Sequence, residues 1–200
     1  VECALNHSIA SLVLLVQDET GWANLCALSS AALSQTSPDT PLSLNLLGSK
    51  SEGLIGIVVA SRSATEFMPS LADIFSGRFF VGISSPAELT AKARQVIGKL
   101  RHPIAALQDV RATHADQVPL LKTLAAMRLN SALQEIPPAN WPPANCVLAS
   151  PEEMEARFKE YPEALSATLE IASRCTYQLP IGKPHLPEFP SPDGVPPLAL

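Results

Sequence analysis

Two hundred residues, 46% of them hydrophobic, with 14 Lys+Arg against 19 Asp+Glu for a net charge of -5, suit one globular domain with a real core, or one domain plus an appendage. The acid excess argues against a large non-specific nucleic-acid surface and leaves room only for a local basic patch. The longest apolar run, LVLLV, is strand-sized and falls short of the roughly 20 residues of a membrane span, and the first residues show no basic, apolar, small-residue signal pattern.

In chain order, residues 9–16 form a continuous apolar run of strand length. Residues 20–33 then carry Trp22, Leu25, Leu28 and Ala32 at helical spacing. A second strand is expected at 54–60, followed by a helix with Phe67, Leu71 and Ile74 on its stripe. A third, at 79–83, leads into a helix over 86–100 that repeats Leu89, Ala93, Val96 and Ile97. Residues 104–107 read as a fourth strand and 118–129 as the helix after it. Near-fully apolar strands alternating with helices predict an α/β fold with mostly parallel strands buried on both faces. The periodicity leaves an α/β barrel and an open doubly wound sheet both standing.

The composition changes after the α/β region at 1–135, because 13 of the 19 prolines follow residue 136. Residues 136–147, with IPPANWPPAN, read as an extended, polyproline-like connector, with Trp141 as an anchor packed on the domain. A helical hairpin is expected over 148–178. Ser150 suits its N-cap, Pro151 the first helical position, and Glu153 the capping-box carboxylate. Met154, Phe158 and Tyr161 share one face of the first helix, and Leu165, Leu169 and Ala172 line the buried stripe of the second. Phe158, Leu165, Leu169 and Ile171 are the residues expected to dock on the α/β layer, because two short helices are marginal alone. Residues 179–200 read as an extended linker, with Leu186 and Phe189 packing back on the domain or meeting another chain.

Several chemistries find no support in the residue pattern. Cys3, Cys26, Cys146 and Cys175 are dispersed without a CxxC pair and read as buried thiols. His7, His102, His114 and His185 form neither HxH nor HExxH, and no serine sits in a G-x-S-x-G elbow.

The hairpin wording, LASPEEMEARFKEYPEALSATLEIASRC, resembles the end of the polymerase-and-histidinol-phosphatase (PHP) domain in the alpha subunit of bacterial DNA polymerase III. LVLLVQDETGWANLC, SEGLIGIV and LPEFPSPDGVPP resemble other parts of that domain in the same order. The resemblance implies a distorted α/β barrel with metal ligands at the C-terminal ends of strands. VECAL looks like the family's third strand, so this chain is expected to form a partial PHP-like barrel that cannot close on the family's pattern.

The same resemblance places five ligand positions of the family within this chain. Glu2 and Asp109 retain carboxylates, whereas Ser11, Ala60 and Arg111 stand where the family often has histidine, cysteine and histidine. A guanidinium has no free lone pair and stays protonated, so the metal cage is expected to be dismantled. Glu2 and Asp109 are expected at adjacent strand ends, with Arg111 neutralising them; a simple surface pair of Asp109 with Arg111 is the plainer alternative.

The implied function is a noncatalytic, cytoplasmic scaffold domain of a polymerase III alpha-type nucleotidyltransferase in DNA replication or repair synthesis. Polymerase motifs themselves are absent from these 200 residues. Expected partners are the remainder of a polymerase alpha subunit, a proofreading exonuclease subunit, and DNA reached through the parent polymerase, with no membrane. No catalytic residue and no cofactor is expected. The alternatives are an active PHP phosphoesterase or exonuclease using zinc, manganese or magnesium, and a stand-alone binding module.

Overall fold

The computed structural model describes residues 2–5, 8–34, 41–61, 64–88, 94–95, 97–98, 102–143 and 145–182, with backbone only for those before Ala10. Its strands are β1 (Glu2–Leu5), β2 (Ser8–Val16), β3 (Leu42–Ser43), β4 (Leu54–Val59), β5 (Phe79–Ile83) and β6 (Ile104–Ala106). The helices are α1 (Glu19–Leu33), α2 (Leu44–Ser49), α3 (Ala64–Ile74), α4 (Val118–Leu129), α5 (Pro151–Arg157) and α6 (Pro162–Arg174). None of the described helices is long and apolar enough to cross a membrane.

The strands form one open mixed sheet in the order β3-β1-β2-β4-β5-β6. Pairing is parallel for β4 with β5, β5 with β6, and β1 with β3, as the apolar runs lead one to expect. That expectation fails at β2, which is antiparallel to both β1 and β4. Only two residues separate β1 from β2, and a link that short joins antiparallel neighbours. Residues 8–11 of β2 pair with β1 and residues 12–16 with β4, so the two halves of this strand serve different partners.

Alternation along the strands divides the core. On one face Leu12, Leu54, Val58, Phe79, Val81 and Ile83 pack with Leu28 of α1, Leu47 of α2, Phe67, Met68 and Leu71 of α3, and Phe75. On the other, Ile55, Ile57, Phe80 and Ala105 meet Ala167 and Ile171 of α6. Ser11 and Val13, at the β2 end of that second face, are exposed.

The hairpin forms as its sequence predicts. Ser150 Oγ accepts from the Glu153 N–H at 3.2 Å while the Ser150 N–H donates to Glu153 Oε2 at 2.7 Å. Phe158 is fully buried, and Met154, Tyr161 and Leu165 pack against the same core. The buried stripe of α6 differs from the expected one: Leu169 is 74% exposed and Ala172 is exposed, while Ala164, Ala167 and Ile171 face inward. α6 packs on β6, whose Ala105 and Ala106 are small, and its own alanines let helix and strand approach closely.

Other expectations need correction too. Trp22 is 39% exposed and stacks on Tyr177, with ring centroids 6.4 Å apart, rather than entering the core. Cys26 is exposed and Cys175 half-buried, so only Cys146 among the described thiols is buried. The connector is not extended throughout, since Pro138–Asn140 make a 3-10 turn and Val147 bridges Ala112. Trp141 is half exposed; its indole N–H donates to the Ile136 carbonyl at 3.2 Å, and Lys122 Nζ lies 4.5 Å from the ring centroid. Of the helix expected over 86–100, the described parts are a 3-10 turn at Pro86–Glu88 and helical residues at 94–95 and 97–98, with Ile97 buried; Leu89, Ala93 and Val96 lie outside the described residues. So do Leu186 and Phe189. The short β3 and α2 have no counterpart in the periodicity reading.

Candidate functional site at the C-terminal rim

The sheet register carries the five positions singled out in the sequence to one edge. Glu2 opens β1 opposite Ser11 of β2. Leu12 pairs with Val58, so the preceding Ser11 stands level with Val59, one residue before Ala60. Val59 pairs with Gly82 and Gly82 with Ala105. The chain leaving β6 then supplies Asp109 and Arg111, so Ala60, Asp109 and Arg111 follow the C-terminal ends of β4 and β6, while Ser11 on β2 and Glu2 on β1 stand level with the end of β4. Glu2 and Asp109 are nevertheless not on adjacent strand ends. β2, β4 and β5 separate β1 from β6, four strand steps of about 4.8 Å each.

Arg111 and Asp109 form a fork-shaped pair. Arg111 Nε donates to Asp109 Oδ1 and Oδ2, each at 3.1 Å, and Nη2 donates to Oδ2 at 2.7 Å. The hydrogen bond from Arg111 holds the Asp109 carboxyl below its ordinary range. Both side chains are about half exposed, 53% and 52%. The guanidinium thus meets the plainer of the two expectations, a surface pair, and the side chain of Glu2 lies outside the described residues.

The backbone beside this pair is fixed by the connector. Arg111 and Ala112 N–H groups both donate to the Cys146 carbonyl, at 2.8 and 3.1 Å. Gln108, which the sequence reading passed over, ties the end of β6 to the start of the hairpin. Its Nε2 donates to the Asn145 and Val147 carbonyls at 3.1 and 2.6 Å, and its Oε1 accepts from the Ala149 N–H at 3.2 Å. Its place next to Asp109 in QDVR was the only available signal.

Chemically the described rim offers little for metal coordination or nucleophilic attack. Ser11 is exposed, and Ala60 packs its methyl group on the main core. Asp109 already accepts from a guanidinium. Among the described residues, no group of three or more His, Cys, Asp or Glu side chains converges as a metal site would require. A hollow of about 450 Å³ lies at the opposite rim, lined by Asp73, Ser76, Phe79, His102, Glu170 and Arg174. There the His102 ring stands edge-on to Phe79 at 4.9 Å, and burial lowers its pKa.

Along 92% of its length the chain is 30% identical to DNA polymerase III subunit alpha of Bacillus subtilis, and along 94% it is 25% identical to that of Pseudomonas aeruginosa. A 45-residue stretch, 22% of this chain, is 53% identical to DNA polymerase III subunit alpha of Neisseria meningitidis. No family model matches the chain. The chain is therefore similar over nearly its whole length to DNA polymerase III alpha subunits, but spans only 18% of the length of the first two relatives.

Proposed function

We propose that this chain is a noncatalytic, PHP-like domain of a DNA polymerase III alpha-type polymerase, serving as a scaffold for the rest of that subunit. The observation that carries this reading is the Arg111 fork on Asp109, at the rim where the resembling family builds its metal cage. The guanidinium there occupies the Asp109 carboxylate that a metal would need, and having no free lone pair and staying protonated it cannot serve as a ligand itself. Ser11 and Ala60, on the same rim, contribute neither imidazole nor thiolate. The open sheet order, and the exposure of Ser11 and Val13 on a face covered elsewhere by α6, support an incomplete barrel. Nucleotide addition then belongs to other parts of the parent polymerase, and contact with DNA or a proofreading exonuclease is made through that assembly.

Elemental analysis of the purified chain after dialysis tests the reading, together with assays on simple phosphoesters with and without manganese. The expected outcome is no stoichiometric zinc, manganese or iron and no turnover above background. One or more tightly held ions per chain, with turnover abolished by Asp109→Ala, would replace the scaffold with an active metal-dependent phosphoesterase.

A further inference from the structure

The hollow at the rim opposite Asp109 has a titratable group in its wall. His102, two residues before β6, sets its ring edge-on to Phe79 at the start of β5, with centroids 4.9 Å apart. Its Nε2 is buried and has no hydrogen-bond partner among the described residues. A neutral ring tolerates that place, whereas a protonated one would bury a charge with nothing to accept its N–H. Burial accordingly lowers the His102 pKa.

The hollow gives the charged ring somewhere else to go. About 450 Å³ in volume, it is also lined by Asp73 and Ser76, at and just beyond the end of α3, and by Glu170 and Arg174 of α6. Arg174 is engaged: Nη1 donates to Glu170 Oε1 at 3.3 Å and Nη2 to the Gly77 carbonyl at 3.0 Å. It offsets Glu170 and leaves the exposed Asp73 carboxylate unengaged among the described residues, so the lining carries two carboxylates against one guanidinium. Arg78, just before β5, is not part of the lining, and its Nη1 donates to the Ser51 and Leu54 carbonyls. On the segment leading to His102, Arg94 is exposed, and Lys99 and Arg101 lie outside the described residues. The element beside the ring is also the weakest part of the sheet. β6 is an edge strand of three residues, paired only with β5, and short edges open before a core does.

We propose that His102 is an acid-triggered latch on this sheet edge. Neutral, it packs on Phe79 and holds the chain entering β6; protonated, it leaves Phe79, turns to the carboxylates of the hollow and lets β6 open. The open state takes up its proton at the ordinary value of about 6.5 and the closed state at a lower one. The opening constant therefore rises as pH falls below about 6.5, by up to about tenfold per pH unit, and levels off below the closed-state value. Native-state hydrogen exchange of the purified chain at pH 7 and pH 5, corrected for intrinsic rates, reads the opening. The Val81 and Leu107 N–H groups bond across the β5–β6 seam to the Pro103 and Ile83 carbonyls, and the Ala60 N–H bonds across the β4–β5 seam to Gly82. Expected are faster opening at Val81 and Leu107 at pH 5 with Ala60 unchanged, and loss of the His102–Phe79 ring contact in proton NMR. His102→Phe and His102→Gln should both remove the acid response. If neither variant folds, the ring contact and the confinement to the β5–β6 seam in the parent decide alone. No acid response in the parent, the same response in either folded variant, an equal response at Ala60, or a ring still on Phe79 at pH 5 overturns the latch.

Discussion

The Asp109 and Arg111 pair shows how exposure decides the worth of a charge contact. A fork with a 2.7 Å arm is good geometry, yet with both side chains about half in water its stabilisation is under about 1 kcal/mol. Arg111→Ala should therefore cost less than about 1 kcal/mol at pH 7, since the backbone N–H to Cys146 survives the substitution. The arginine depresses the carboxyl pKa, so its contribution is present above the ordinary carboxylate range of about 4 and fades as pH falls through the lower folded value. Urea unfolding of parent and variant at pH 7 and pH 3 reads both effects. A loss above ~2 kcal/mol at pH 7 would mean that Arg111 also holds a buried partner. The residue types at the rim were legible in VECAL, SEGLIGIVVA and QDVR, and the register aligns those positions. Distance across the sheet was not legible, because adjacency depends on strand order, which local spacing does not encode.

At the scale of elements, periodicity located most strands and helices, and the capping box located the hairpin start. What it misjudged was Trp22 on α1, whose Leu25, Leu28 and Ala32 do meet the core, and the inward side of α6. Both helices carry alanine and leucine on several sides, so the buried stripe is chosen by what it packs against. On α6 the small surface of β6 selects Ala164, Ala167 and Ile171 over the bulkier Leu169. A sharper constraint sits where α1 begins. The Gly21 N–H donates to the capping Asp18 Oδ1 at 2.8 Å, and the turn before β4 crosses so close that a Cβ on Gly21 would lie 1.9 Å from the Gly53 carbonyl oxygen. Gly53 itself has φ of 70°, in the left-handed region. Both contacting groups are backbone, so neither can rotate aside. Gly21→Ala is expected to destabilise the fold by about 1 to 3 kcal/mol, despite alanine's better helix propensity. An unchanged melting temperature would mean that α1 can slide away from the turn.

At the scale of the molecule, the hairpin decides whether the α/β layer and the proline-rich half form one cooperative unit. Phe158 and Ala164 belong to the larger core with Leu12, Val58 and Phe79, while Ala167 and Ile171 close the opposite face over Ile55 and Phe80. A two-helix segment that feeds both cores cannot leave without opening both, and Gln108 ties the same segment to β6 through three hydrogen bonds. Truncating Phe158 to alanine removes a fully buried ring and should cost about 3 to 5 kcal/mol. Against a typical total of 5 to 15 kcal/mol, that loss would reach every element sharing the cores. Native-state hydrogen exchange resolves the question by region: in Phe158→Ala, amides of β4 and β5 should lose protection in parallel with those of α6. If α6 alone becomes exchangeable while β4 and β5 keep their parent rates, the hairpin is a separately unfolding appendage and the central sheet is held by α1, α2 and α3 without it.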